Sequence, residues 1–185
     1  RLVAGEKAVV IGGGPIGQLI AQVAKAAGAE VMISEVNESR LAFAKENGMK
    51  TINPMTENLN EVVQEWTGTR GADVIFEVSG VKQAIEAMTE IASVRARICM
   101  VAIHSEKPQI DLFQFFWKEL ELVGARVYEP ADFDKAIDLV ATEAINLTPY
   151  ISSVSMLAEI NKAFSSMDGN PQGMKALVSC QTEEA

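Results

Sequence analysis

Residues 7–35 constrain this chain more than any other stretch. An apolar run from Lys7 to Ile11 leads into Gly12-Gly13-Gly14-Pro15-Ile16-Gly17. A helical run to Ala27, the stop Gly28, and Val31 to Glu35 follow. The periodicity predicts strand, glycine turn, helix, strand and a terminal acid, which is one βαβ unit. Gly12, Gly14 and Gly17 occupy the glycine positions of G-x-G-x-x-G. In such a turn the first glycine permits the tight bend, the second lets backbone approach a pyrophosphate, and the third lets the helix lie close to the sheet. Free N–H groups and the positive end of the helix dipole then face the phosphates. Pro15 suits a first helical turn, where its missing N–H deprives the helix of nothing, and Ile16 stands beside it. Ile16, Leu19, Ile20, Val23, Ala24 and Ala27 are spaced as a buried helix face. The glycine pattern alone is weak, but the strand before it and the helix and acid after it make a dinucleotide the expected ligand. A structural turn or another nucleotide class is the alternative.

Glu35 closes the second strand, roughly 20 residues beyond the glycines, as the fingerprint requires. A carboxylate there accepts the hydroxyls of an adenosine ribose and repels a 2′-phosphate, so NAD is expected over NADP. Arg40 follows on the next helix, either lying over the adenine as a planar cation or serving as an ordinary surface residue.

The alternation continues along the chain. Asn37 to Asn47 reads as a capped helix, Thr51-Ile52 as a short strand, and Leu59, Val62, Val63 and Trp66 as a helix, with Trp66 in the core. Ala72 to Val78 is a dense apolar strand closing in Ser79-Gly80. Val81 to Ala92 is helical, Ile98 to Ile103 is a strand, and Leu120 to Val127 is a sixth strand candidate. Near-continuous apolar strands alternating with helices predict an α/β fold, a Rossmann-type doubly wound parallel sheet of about six strands. Residues 1–130 form that domain in this reading. Residues 131–185 form a tail with helices near Ile137 and Ile160, a turn at Gly169 to Gly173 and a strand at Ala176 to Val178.

Ligands of such sheets lie over the carboxyl ends of the strands. Those ends are Gly12 to Gly14, Ser34-Glu35, Ser79-Gly80 and Ala102-Ile103-His104. Ser79, Gly80, Ala102 and Ile103 are therefore expected to touch cofactor through backbone and small side chains. Arg126, after the sixth strand, either reaches the cofactor's phosphate or nicotinamide side or sits in a structural ion pair. His104 is the only histidine. No carboxylate is spaced to orient it, so it reads as a loop or solvent residue in preference to an acid or base. Ile110 to Trp117 is unusually aromatic, as core packing or as a subunit interface.

The net charge of −9 leaves no basic footprint for nucleic acid or an anionic membrane. No apolar run approaches the roughly 20 residues of a membrane span and no signal peptide opens the chain, so a cytoplasmic protein is expected. Cys99, Cys180 and the single histidine write neither a disulfide framework nor a zinc site.

The order of motifs resembles the cofactor-binding half of the zinc-dependent medium-chain dehydrogenases, the alcohol and polyol dehydrogenase superfamily, with its sorbitol, butanediol and threonine dehydrogenase branch nearest. The residues that carry the resemblance are Ala8 to Gly17, Ile33 to Glu35 with Arg40, Asp73 to Gly80, Lys118 to Tyr128, and Lys175 to Val178. The resemblance implies NAD(H) as hydride carrier and reversible oxidation of a secondary alcohol, a small alcohol or polyol, to a ketone. It also implies a catalytic zinc held by a barrel-like domain that would precede this sequence, so no catalytic or metal residue carries over and the chain alone is expected to be inactive. Residues 131–185 would help complete that domain, and a homodimer through residues 110–126 is expected. Where relatives usually have paired glycines before the fifth strand, this chain has Arg95-Ala96-Arg97. The rival readings are the cofactor domain of a zinc-independent quinone or enoyl reductase, and a non-catalytic NAD-sensing domain.

Overall fold

The computed structural model describes residues 2–169 and 173–181. Six strands, β1 (Lys7–Ile11), β2 (Glu30–Ser34), β3 (Lys50–Ile52), β4 (Ala72–Glu77), β5 (Ala92–Met100) and β6 (Glu121–Gly124), form one sheet in the order β3-β2-β1-β4-β5-β6. Every pairing in it is parallel. Between them run α1 (Pro15–Ala26), α2 (Glu38–Glu46), α3 (Leu59–Thr67), α4 (Lys82–Glu90) and α5 (Leu112–Lys118). The expected doubly wound sheet is therefore present, with its strand order reversing between β1 and β4.

The near-continuous apolar strands follow from cover on both faces. Along β1, Val9 and Ile11 join the cluster containing Met32, Ile75 and Ile98, while Ala8 and Val10 join the opposite cluster with Val31, Ile33 and Val74. Side chains that alternate sides must all be apolar when neither side is wet.

One packing expectation holds only in part, at Ala24, which is buried, and Ile20, which packs against the core. The buried residues of α1 are Gly17, Gln18, Ala21 and Ala24, whereas Ile16 is 60% and Val23 47% exposed. A Cβ built on Gly17 would lie 1.9 Å from the Gly12 carbonyl oxygen. An approach that close admits only small residues, so the large apolar side chains are displaced to the flanks. Gln18 is tolerated inside because its Nε2 donates to the carbonyls of Gly13 (3.2 Å) and Arg40 (3.0 Å).

β5 begins at Ala92, well before the expected Ile98, and its register with β4 shifts between Ala72 and Val74. At this irregularity Arg95 has φ +62°, a left-handed conformation that glycine adopts without cost. The side chain pairs at 2.7 Å with Glu119, itself at φ +53°. Both side chains are exposed, and such pairs contribute little. Arg95→Gly should therefore raise the thermal midpoint by a few degrees. A lower midpoint on calorimetric scanning would show that the ion pair outweighs the strain.

The end of α4 has an unusual cap. Lys118 Nζ, at the end of α5, donates to the carbonyls of Thr89 (2.8 Å), Glu90 (2.9 Å) and Ala92 (3.0 Å). Its three donors meet three carbonyls at the negative end of a helix dipole. Burial nevertheless holds the ammonium below its ordinary pKa.

The chain divides into two compact units, Arg1–Asp134 and Lys135–Ala185. The division falls within α6 (Pro130–Ala141). In the second unit β7 (Ile151–Met156) pairs in parallel with β8 (Lys175–Ser179), and α7 (Ile160–Gly169) lies between them in sequence. β8 contains the expected terminal strand. β7 was not expected, because Ser152, Ser153 and Ser155 dilute its apolar pattern. Of the expected turn at 169–173, residues 170–172 lie outside the described residues.

Candidate cofactor site

A crevice of about 580 Å³ lies over the carboxyl ends of the central strands. Gly12, Gly14, Ser34, Glu35, Arg40 and Ser79 are among the residues that line it. The three fingerprint glycines differ in what the fold asks of them. Gly12 has φ +107°, donates its N–H to Ser34 O at 2.8 Å, and has no room for a Cβ, which would fall 2.9 Å from Ser79 N. Gly17 is fixed by the approach of α1 described above. Gly14 precedes α1 with an ordinary φ of −67°, and the nearest atom to a Cβ there would be Arg40 Nη1 at 3.9 Å. The protein's own packing thus does not need glycine at position 14. The space left bare lies beside the first turn of α1, which has neither a side-chain cap nor an acidic residue. That is a seat for an anion.

Glu35 is 8% exposed and heavily engaged. Its Oε1 accepts from the backbone N–H groups of Val36 (2.7 Å) and Asn37 (2.9 Å), and its Oε2 accepts from Gly13 N (2.8 Å). Arg40 Nη1 stands 3.8 Å from Oε2. An ionised carboxylate offers about four acceptor sites. Three are used by backbone, so the site remaining is on Oε2, facing Arg40. Glu35 was expected to accept the ribose hydroxyls; its first duty in the folded chain is to tie the glycine turn to the end of β2.

Two polar atoms in the crevice wall are buried without a hydrogen-bond partner, Ser34 Oγ and Arg40 Nε. Buried polar atoms are rarely left unpaired, and those that are mark places where a ligand or water completes the set. With the space at Gly14, the bare helix end and the acid of Glu35, they fit a dinucleotide.

A second cavity, of about 300 Å³, is lined by Gly80, Lys82, His104, Ser105 and Lys107 among others. Glu77 stands behind this region. Its carboxylate is fully buried at the end of β4, and Oε1 accepts from Ser79 N (2.9 Å), Ser79 Oγ (2.6 Å) and Gly80 N (2.9 Å). Oε2 lies 3.0 Å from His104 Nε2. This corrects the sequence reading of His104: a carboxylate does orient it, and its side chain is only 14% exposed. The partner comes from the neighbouring strand, so no local spacing announces it. A signal was nevertheless present in Glu77 itself, an acid inside an apolar strand, since buried acids are rare unless paired.

The other expected residues are distributed as follows. Pro15 is half-buried and Ile16 exposed in the first turn of α1. Ala102 is half-buried, its Cβ 3.6 Å from the position of a Cβ on Gly80, and Ile103 is 94% exposed. Arg126, past the end of β6, is exposed and lines neither cavity. Trp66 packs against the core with Lys7 Nζ 4.8 Å above its ring, away from the crevice. Among the described residues no group of three or more His, Cys, Asp or Glu side chains is arranged to hold a metal. Zinc therefore does not fit a site built from them.

The sequence profile of the family described as zinc-binding dehydrogenases matches residues 15–142. The chain belongs to this family. It is 67% identical over 184 residues to 2-dehydro-3-deoxy-L-galactonate 5-dehydrogenase of Pseudoalteromonas atlantica, covering 100% of this chain and 54% of that protein. It is 34% identical over 151 residues to (R,R)-butanediol dehydrogenase of Neisseria gonorrhoeae, covering 80% of this chain and 42% of the relative. Among solved structures, 2R,3R-butanediol dehydrogenase from Bacillus subtilis superimposes with a TM-score of 0.92 at 27% identity, over 98% of this chain and 52% of the other. The chain spans about half the length of the curated relatives it matches. It corresponds to the nucleotide-binding part of these alcohol and polyol dehydrogenases. No helix among the described residues is long and apolar enough to cross a membrane.

Proposed function

We propose that this chain is the NAD(H)-binding part of a zinc-type medium-chain dehydrogenase that interconverts a secondary alcohol and a ketone. The observation that carries the choice of cofactor is Glu35. Its carboxylate is fixed by three backbone N–H groups in the crevice wall, where a 2′-phosphate would meet a like charge. The bound nicotinamide supplies the hydride chemistry. The chain's residues bind and orient it. The Gly12 to Gly17 turn seats the pyrophosphate, Glu35 accepts from the adenosine ribose, and Arg40 lies beside the adenine. Ser79, Gly80, Ala102 and Ile103 border the nicotinamide half.

The 67% identity to a 2-dehydro-3-deoxy-L-galactonate 5-dehydrogenase favours a sugar-acid substrate of that kind over a simple diol. The Lewis acid and the substrate-binding groups would be supplied by residues outside this chain, and a cytoplasmic location accords with this reading. The chain alone is accordingly inactive. Isothermal titration with NAD(H) and NADP(H) tests the cofactor assignment; equal or tighter NADP(H) binding overturns it. Sustained zinc-dependent reduction of NAD by the chain alone with 2-dehydro-3-deoxy-L-galactonate, butanediol, sorbitol or threonine would overturn the assignment of the active site to other residues.

Association through residues 110–126 belongs to the same reading. No residue of α5 is fully buried, Phe116 is 77% and Trp117 69% exposed, and all four residues of the edge strand β6 are exposed. Phe113 stacks on Trp117 at 5.9 Å between ring centroids, so the face is already ordered. An apolar helix beside an unpaired strand edge suits a twofold dimer. Phe116→Glu should convert a dimer at micromolar concentration into a monomer by light scattering. A dimer indifferent to that change would place the interface elsewhere.

A further inference from the structure

We propose that Glu77 and His104 are positioning residues for the nicotinamide half of the dinucleotide, an inference that rests on the NAD(H) reading above. A doubly wound sheet is two mononucleotide-binding halves side by side. The half built on β1 to β3 presents Glu35 at the end of β2. The half built on β4 to β6 presents the turns after β4 and β5, and one residue holds both turns. Glu77 Oε1 grips the first turn through Ser79 and Gly80, and Oε2 grips the second through His104. Its backbone carbonyl adds the N–H groups of Val101 at 2.9 Å and Ala102 at 3.1 Å.

Between the anchored backbone of Ala102 and the anchored ring of His104 stands Ile103, 94% exposed. A large apolar side chain is thus held outward on a span pinned at both ends, beside Gly80, where a Cβ would fall 3.0 Å from Ile103 O. A flat aromatic ring with a carboxamide, which needs an apolar face and nearby backbone partners, is the ligand such a span fits. The pinning has a chemical necessity. A carboxylate shut off from water persists only while its oxygens are hydrogen-bonded. A carboxylate oxygen can only accept, so the imidazole proton lies on Nε2. Removing the ring strips Oε2 of its partner while Oε1 keeps its three donors. The turn after β4 stays in place and the span carrying Ile103 is released.

The test separates the two halves of the cofactor. The affinities of the protein for NADH and for ADP-ribose, which lacks nicotinamide, are measured by titration calorimetry in wild type, His104→Leu and His104→Gln. His104→Leu should weaken NADH by about tenfold, the size of one lost charge-assisted hydrogen bond, and leave ADP-ribose unchanged. His104→Gln, whose amide can donate to the same oxygen, should restore most of the loss. Equal weakening of both ligands, no weakening of either, or a glutamine no better than leucine would overturn the proposal. If His104→Leu does not fold, His104→Phe, which keeps a flat ring that cannot donate and leaves Glu77 Oε1 with its three donors, should show the same split. A wild type that binds neither ligand would overturn the cofactor reading and this proposal with it. A wild type that binds both, with variants that fail to separate them, overturns the positioning role alone.

Discussion

Gly17→Ala is expected to destabilise the sheet domain by about 3 kcal/mol, and NAD(H) binding should be lost with the fold of the turn. The added methyl would fall 1.9 Å from the carbonyl oxygen of Gly12, with Gly12 C at 3.0 Å and Val10 Cγ1 at 3.4 Å. Backbone cannot yield as a flexible side-chain end can. The whole of α1 would have to lift, opening the contacts of Ala21 and Ala24 with the sheet. The helical propensity gained on replacing glycine is about 1 kcal/mol, too little to offset this. Gly14→Ala is the matched control. Its methyl meets nothing closer than Arg40 Nη1 at 3.9 Å, and its φ is ordinary. Stability should fall by no more than about 1 kcal/mol, the cost of alanine at a helix N-cap. NAD(H) affinity should still drop by about tenfold or more, because the methyl fills the space through which a pyrophosphate approaches the backbone. Denaturant unfolding and calorimetry on both variants decide the matter. If Gly14→Ala bound the dinucleotide as wild type does, the pyrophosphate would not lie there.

The contrast between those glycines shows what the sequence made legible. The unit from β1 to β2 is written locally, in an apolar run, a glycine spacing and an acid, and it folds as expected. The parallel six-stranded sheet follows from the same alternation, whereas its order, β3-β2-β1-β4-β5-β6, is read only from the folded chain. What the pattern did not show is which face of α1 is buried. Apolar spacing pointed to Ile16 and Val23, but the Gly12–Gly17 contact brings the helix so near the sheet that only small residues fit beneath it. The pairing of Glu77 with His104 was missed for a different reason. The two stand 27 residues apart and meet because β4 and β5 are neighbours in register, Glu77 opposite Met100. Tertiary pairing of this kind has no local period. The aromatic run likewise carried two readings that only burial separates: Ile110 and Phe115 pack on the core, while Leu112, Phe113, Phe116 and Trp117 do not.

Cofactor choice should respond to Glu35 more than to any other side chain. Glu35→Ser is expected to shift the NAD(H) to NADP(H) affinity ratio by about a hundredfold toward NADP(H). Two effects of similar size add: loss of an ionised acceptor for the ribose, and removal of the charge that opposes a 2′-phosphate. Arg40 stands beside that carboxylate. Its Nη1 lies 3.8 Å from Glu35 Oε2 and its Nε is buried without a partner, so neutralising the acid leaves an arginine ready to pair with the phosphate. Glu35→Ser, Arg40→Leu should therefore lose the gain in NADP(H) affinity while leaving NAD(H) as weak as in the single variant. Stability will fall in both, because the N–H groups of Gly13, Val36 and Asn37 lose their acceptor. The comparison must for that reason be the ratio of two affinities in one variant, not either affinity alone. A ratio unchanged by Glu35→Ser would show that the carboxylate serves only to hold the glycine turn, and that selectivity between the two cofactors is set elsewhere in the crevice.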